Sequence, residues 1–154
     1  MNNRTAVAGL ALAAATLVGI AVHEGYSDTP IIPIPGDVPT IGFGETKGVK
    51  AGDRTTPTRA LVTLLGSIGQ YEAAVKRCAP VPMHPYEYAA FVSLTYNIGS
   101  GAFCSSTIAR KLNALDYAGA CLEILRWDRA QGRIVRGLTE RRQAEYKQCI
   151  GATP

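Results

Sequence analysis

Between Thr5 and Val22 the chain carries no charged residue, and its Ala, Gly, Leu, Val and Ile leave no polar face. As a helix, these 18 residues span roughly 27 Å, just short of the ~30 Å hydrocarbon core of a bilayer. Arg4 precedes them, the positive-inside polarity of a chain whose remainder is exported. The small-residue content suits three fates: a secretory signal cut near Ala21, a permanent anchor, and a marginal anchor that leaves the bilayer. On the third, Thr5–Val22 supplies the first helix of the folded protein, and His23-Glu24-Gly25 follows at its end.

The pattern then changes period. Pro30–Thr46, "PIIPIPGDVPTIGFGET", is broken by four prolines and three glycines and predicts short β segments joined by turns. Gly42 and Gly44 suit tight packing or close approach of a ligand; no Lys follows them as in a phosphate loop. From Thr55 the spacing is helical: Thr56 caps, Pro57 takes the first helical position, and Leu61, Leu64, Leu65, Ile68 and Tyr71 share one face. A second helix starts at Pro85 with Tyr88, Phe91, Val92, Thr95 and Tyr96 at helical spacing, a stripe that reads as core, and ends at Gly99 and Gly101. Short helices follow over "SSTIARKLNAL", "DYAGACLEILRW" and "TERRQAEYKQC", the first two capped by Ser105 and Asp116. Arg141 and Arg142 with Glu140 and Glu145 read as a helix surface with weak ion pairs. The fold class is α+β: a small β-containing N-terminal lobe, a long connecting helix and a mainly α-helical C-terminal lobe.

Charge adds a direction. The net charge is +4, and Arg126, Arg129, Arg133, Arg136, Arg141 and Arg142 crowd the last third. That suits an anionic cell-wall polymer or membrane face; no nucleic-acid-reading motif is present. Cys78, Cys104, Cys121 and Cys149 form no metal-ligand spacing with each other or with His23 and His84, so no zinc site is expected. Behind an export segment, four cysteines suggest disulfides, with all three pairings open, and four reduced thiols as the alternative.

The candidate chemistry is carboxylate chemistry. Glu24 sits at the edge of an apolar segment as a candidate general acid, and a β-rich stretch bearing Asp28, Asp37, Thr40 and Glu45 follows. A second carboxylate across a sugar activates water. "HEG…PTIGFGET" resembles the opening of the phage lysozyme family (glycoside hydrolase family 24, T-even phage lysozyme-like). "FVSLTYNIGSGAFCSSTIARKLN", Phe91–Asn113, is similar to its second signature, and "GLTERRQAEYKQC", Gly137–Cys149, to its C-terminal element.

That resemblance implies a two-lobed lysozyme-like fold and an endolysin, a muramidase cutting peptidoglycan for host lysis without metal or cofactor; nothing in the sequence demands an oligomer, and a monomer is expected. It implies Glu24 as general acid and Thr40 as the residue holding the attacking water. The family's middle acid falls on Pro33 or Ile34 by spacing, and Glu24 to Thr40 is one residue longer than the family pattern. Asp37 is the first choice for that role, with Glu45, or Asp28 or none, left open. The N-terminal segment resembles the signal-arrest-release anchor of phage endolysins. It implies residues 1–22 as an inner-membrane tether, 23–154 as the muramidase, and export to the host periplasm. Two rivals stand: a lytic transglycosylase using Glu24 alone, and a non-catalytic exported wall-binding protein.

Overall fold

The uncharged N-terminal segment does not form one helix. In a computed structural model describing residues 3–33 and 35–152, Thr5 forms a β-bridge with Met83, and Val7–Gly9 is a 3-10 turn. Leu10 is extended, and helix α1 covers only Ala14–Glu24. Tertiary hydrogen bonds from Thr5 and Leu12 outcompete the helix propensity of an Ala-rich run, which is worth only tenths of a kcal/mol per residue. Among the described residues, no helix is long and apolar enough to cross a membrane. Ile34, and the first two residues of the expected 1–22 segment, lie outside the described residues.

The chain divides into two units, Ala14–Gly69, and the stretch through Ala13 together with Gln70 onward. The predicted long helix, α2 (Pro57–Cys78), carries the chain from one to the other. Thr56 Oγ1 accepts the Arg59 N–H at 3.3 Å, so α2 starts where its cap and Pro57 set it.

The first unit holds α1, strands β1 (Ser27–Ile31) and β2 (Thr40–Gly42), and the start of α2. The strands are antiparallel, with Ser27 opposite Gly42 and Ile31 opposite Thr40. Four residue steps on β1 thus face two on β2, an irregularity containing Pro30, which has no N–H to give a ladder. After β2 the chain reverses at once. Ile41 and Glu45 exchange backbone hydrogen bonds of 2.9 and 3.0 Å, closing a turn over Gly42-Phe43-Gly44. Gly42 has φ +65°, and a Cβ there would lie 2.9 Å from the Ala60 Cβ; only Gly lets the turn and α2 pack this closely.

In the second unit, α3 (Pro85–Ile98) is nearly enclosed, with Tyr88, Phe91, Val92 and Leu94 fully buried. It packs on α7 (Arg136–Cys149); α4 (Ser100–Cys104), α5 (Thr107–Asn113) and α6 (Tyr117–Ile124) complete the helical layer. Asp116 caps α6 as expected, but the cap of α5 is Ser106 rather than Ser105. Ser105 Oγ instead donates to the Gly101 carbonyl of the preceding turn. Disulfides join Cys78 to Cys104 and Cys121 to Cys149, selecting one of the three pairings. A hairpin of β3 (Arg129–Ala130) and β4 (Arg133–Ile134) was not legible from the pattern; its turn places Gln131 and Gly132 at positive φ.

The Arg141, Arg142 and Glu145 set is not surface. All three are buried, 5%, 1% and 2% exposed. Glu145 accepts Ser93 Oγ at 2.8 Å, and its carboxylate lies 3.2 Å from Arg141 Nε and 2.8 Å from Arg142 Nε. The helical period concealed this, because α7 buries its charged stripe against the polar Ser93 edge of α3. Glu140 of the expected surface set is exposed and pairs with Arg136, at 2.8 Å.

Candidate active site

Glu24 is the last residue of α1, and Gly25, at φ +71°, swings the chain from that helix into β1. The carboxylate is thereby held at a helix end beside the two strands. It is half-buried and lines a cavity of about 460 Å³ with Gly25, Tyr26 and Ser27 of the turn, Ile31 and Pro33, and Thr40, Ile41, Gly42 and Gly44. Thr40 Oγ1 donates to the Ile31 carbonyl at 3.3 Å, which orients the hydroxyl across the strand pair.

The turn after β2 supplies the contact that shapes this wall. Gly44 has φ +84°, and a Cβ there would stand 3.1 Å from Glu24 Oε2. The peptide chain thus runs directly against the carboxylate, with no side chain between. Tyr26 and Phe43 pack beside it with ring centroids 5.3 Å apart. Sequence reasoning found Gly42 as a packing glycine but not the partner of Gly44. The alternation in "TIGFG" was the available signal, yet it names no neighbour.

Glu24 and Thr40, separated by sixteen positions in sequence, therefore line one cavity. The three candidates for the middle acid do not line it. Asp37 is exposed, and its Oδ1 accepts its neighbour Val38 N–H at 2.8 Å. Glu45 Oε1 accepts the Lys47 N–H at 2.7 Å. Asp28 is 3.9 Å from Arg54 Nη1. A second cavity of about 410 Å³, lined by Thr29, Pro30, Ile32, Pro39 and residues 51–54, presents Asp53 and Arg54. No cluster of three or more His, Cys, Asp or Glu among the described residues could hold a metal ion.

What the arrangement offers is one carboxyl at a helix end, one oriented hydroxyl, and a concave wall of strand backbone wide enough for sugar rings. Known proteins share the chain's sequence pattern and fold. The phage lysozyme family model matches residues 21–145, from three residues before Glu24 into α7. A SAR-endolysin of Pseudomonas phage phiKMV is 34% identical over 146 residues, covering 92% of this chain and 89% of the relative. Among solved structures, an endolysin from Escherichia coli O157:H7 phage FAHEc1 superposes with a TM-score of 0.83 at 30% identity, covering 94% and 96% of the two chains. A lysozyme of phage P22 does so with a TM-score of 0.80 at 27% identity, covering 92% and 99%. With Glu24, the two strands and most of the helical unit inside the matched span, this chain belongs to the phage lysozyme family.

Proposed function

We propose that this chain is a phage endolysin of glycoside hydrolase family 24. It hydrolyses the β-1,4 bond between N-acetylmuramic acid and N-acetylglucosamine in host peptidoglycan. The observation that carries the reading is the shared cavity of Glu24 and Thr40, with the Gly44 backbone pressed against the carboxylate. Glu24 protonates the glycosidic oxygen as general acid. Thr40 holds the water that attacks the anomeric carbon. Asp37, three residues before Thr40, is the proposed base for that water, and an opposed base and bound water give inversion of configuration. Val38 N–H occupies only Oδ1 of Asp37, which leaves Oδ2 for the water; to act, the side chain must turn toward the cavity. Turbidity loss of purified peptidoglycan tests the assignment. Wild type clears it, and Glu24→Gln and Asp37→Asn, both folded, do not; full lysis by Glu24→Gln refutes the enzyme reading.

One observation favours a second reading. Asp37, Glu45 and Asp28 all lie off the cavity wall, which is the arrangement a lytic transglycosylase acting through Glu24 alone requires. Product mass separates the two, because hydrolysis adds one water and transglycosylation leaves an anhydro sugar.

The proposal extends to topology. Residues 1–22 serve as a signal-arrest-release segment that first tethers residues 23–154, as a monomer, to the periplasmic face of the inner membrane. The charge-free run behind Arg4 supports this, and so does the similarity to the SAR-endolysin of phage phiKMV. Once the segment leaves the bilayer, its C-terminal half forms α1 and places Glu24.

A further inference from the structure

We propose that Arg4–Leu12 is a latch, received by a binding site on the helical unit whose central group is Glu87, and that its docking holds the released protein out of the membrane. The proposal rests on the topology reading above. The receiving site is built rather than incidental. The Glu87 side chain is 5% exposed. Its Oε2 accepts the His84 N–H at 2.8 Å, capping α3, and also Arg4 Nε at 3.0 Å, while Oε1 accepts Arg4 Nη2 at 2.8 Å. This is a fork-to-fork pair, the strongest common form of carboxylate recognition. The guanidinium also lies 3.7 Å from the centre of the Tyr117 ring, and Tyr117 is itself fixed by donating to the Pro82 carbonyl at 2.6 Å.

Backbone bonds extend the grip. Thr5 and Met83 exchange hydrogen bonds of 2.9 and 2.8 Å. At the far end, the Leu12 N–H donates to Glu72 Oε1 at 3.0 Å, an oxygen that also accepts the Tyr88 hydroxyl at 2.7 Å. Between them Val7 and Leu10 are buried. The Glu87 hydrogen bond raises the Arg4 pKa, so the latch stays charged.

The same residues cannot satisfy both states. A Thr5–Val22 helix in the bilayer removes the Thr5 bridge and the Leu12 bond and leaves Arg4 on the cytoplasmic side. In that state Glu87 lacks its counter-ion and the two charge-assisted hydrogen bonds that Arg4 donates. Moving Arg4 outward also works against an inside-negative potential. Arg4 therefore retains the segment while the membrane is energised, and its capture by Glu87 makes departure irreversible once the potential falls.

The test uses the full chain and two variants. Glu87→Gln removes the charge but keeps a side chain able to complete the α3 capping box; Arg4→Gln removes the cation. Deuterium exchange of the soluble protein reads docking directly: the peptide covering residues 3–13 is protected in wild type and exchanges at least tenfold faster in both variants. Exchange within twofold of wild type in Glu87→Gln overturns the latch. In a Gram-negative host, membrane and periplasmic fractions are compared before and after an uncoupler. Wild type moves to the soluble fraction. Arg4→Gln, with one positive charge fewer to carry across, leaves before the uncoupler is added, and Glu87→Gln leaves at least tenfold more slowly than wild type. Equal departure of Glu87→Gln and wild type overturns the latch alone. Wild type that is never in the membrane fraction, or whose mature chain lacks Arg4–Leu12 by mass, overturns the topology reading and the latch with it.

Discussion

Replacing Gly44 by Ala places a Cβ 3.1 Å from Glu24 Oε2, 3.8 Å from its Cδ and 3.9 Å from its Cβ. The nearest of these is a few tenths of an ångström too close. The atom that meets it is the tip of a side chain, so the carboxylate gives way and the turn survives. The backbone contributes a separate cost: φ is +84°, and an L-residue in the left-handed region costs about 1–2 kcal/mol. For a domain of this size that lowers the Tm by roughly 2–8 °C. Gly48→Ala is the matched control, because Gly48 has φ +71° and no atom within 4 Å of its added Cβ. The two variants should melt alike. They should differ in turnover, since misplacing a catalytic group by 1 Å costs about 100-fold and a few tenths of that roughly three- to tenfold. Initial rates of peptidoglycan clearing, beside thermal melts by circular dichroism, separate the effects. If Gly44→Ala clears as fast as Gly48→Ala, then either Glu24 is not the acid or its position against the turn is irrelevant, and the site argument fails.

Glu145→Ala leaves Arg141 and Arg142 buried without their shared carboxylate; a loss of about 3–5 kcal/mol is expected, read as a Tm drop on the order of 10 °C. Arg136→Ala, in the exposed pair with Glu140, should move the Tm by less than about 1 °C. Each disulfide closes a loop with sequence separation 26 or 28, so Cys78→Ser/Cys104→Ser and Cys121→Ser/Cys149→Ser should each cost about 3.5 kcal/mol in denaturant melts. The Tyr88 pKa is raised by burial and then by its hydrogen bond to Glu72. Its contribution to stability is therefore complete below about pH 10, the unfolded value, and is lost as pH rises from there toward the folded value. Tyr88→Phe should flatten the alkaline fall in Tm, and an unchanged slope would refute the assignment.

Helices were legible in the sequence where period and caps agreed. Thr56-Pro57 and the Leu64/Ile68 stripe placed α2, and Asp116 placed α6, because these signals act within a few residues. The stripe through Tyr88 and Phe91 was read as core, and both residues are fully buried. Local signals failed where a distant partner decides the outcome. Glu145 stands within a helical turn of Arg141 and Arg142, but nothing near them indicates that α3 and Ser93 will bury the set. Nothing near Thr5 indicates Met83, so an Ala-rich run expected to be one helix became a bridge, a turn and a shorter helix. Cysteine pairing was illegible for the same reason, since it is set by how α2, α4, α6 and α7 pack.

The spacing problem in the site shows how the fold tolerates a longer chain. Glu24 to Thr40 is one residue longer than the pattern the family resemblance implies, which by itself should carry Thr40 to the opposite face of its strand. Thr40 nevertheless lines the cavity of Glu24, and the pairing before β2 is irregular. Between Ser27 and Ile31 the first strand spends four steps against two on its partner, and Pro30 tolerates this loss of pairing at no cost in donors. The loop from Ile32 to Pro39 then returns to a fixed register, Ile31 opposite Thr40, pinned beyond β2 by the Ile41–Glu45 bonds and by the contact of Gly42 with Ala60. The register at Thr40 and the turn behind it are thus the rigid parts, and the loop bearing Asp37 is the adjustable one. An insertion in that loop changes which acid is near the cavity without moving Glu24 or Thr40. That is why the resemblance offers a single residue each for the acid and the water-holding roles while three carboxylates compete for the third position.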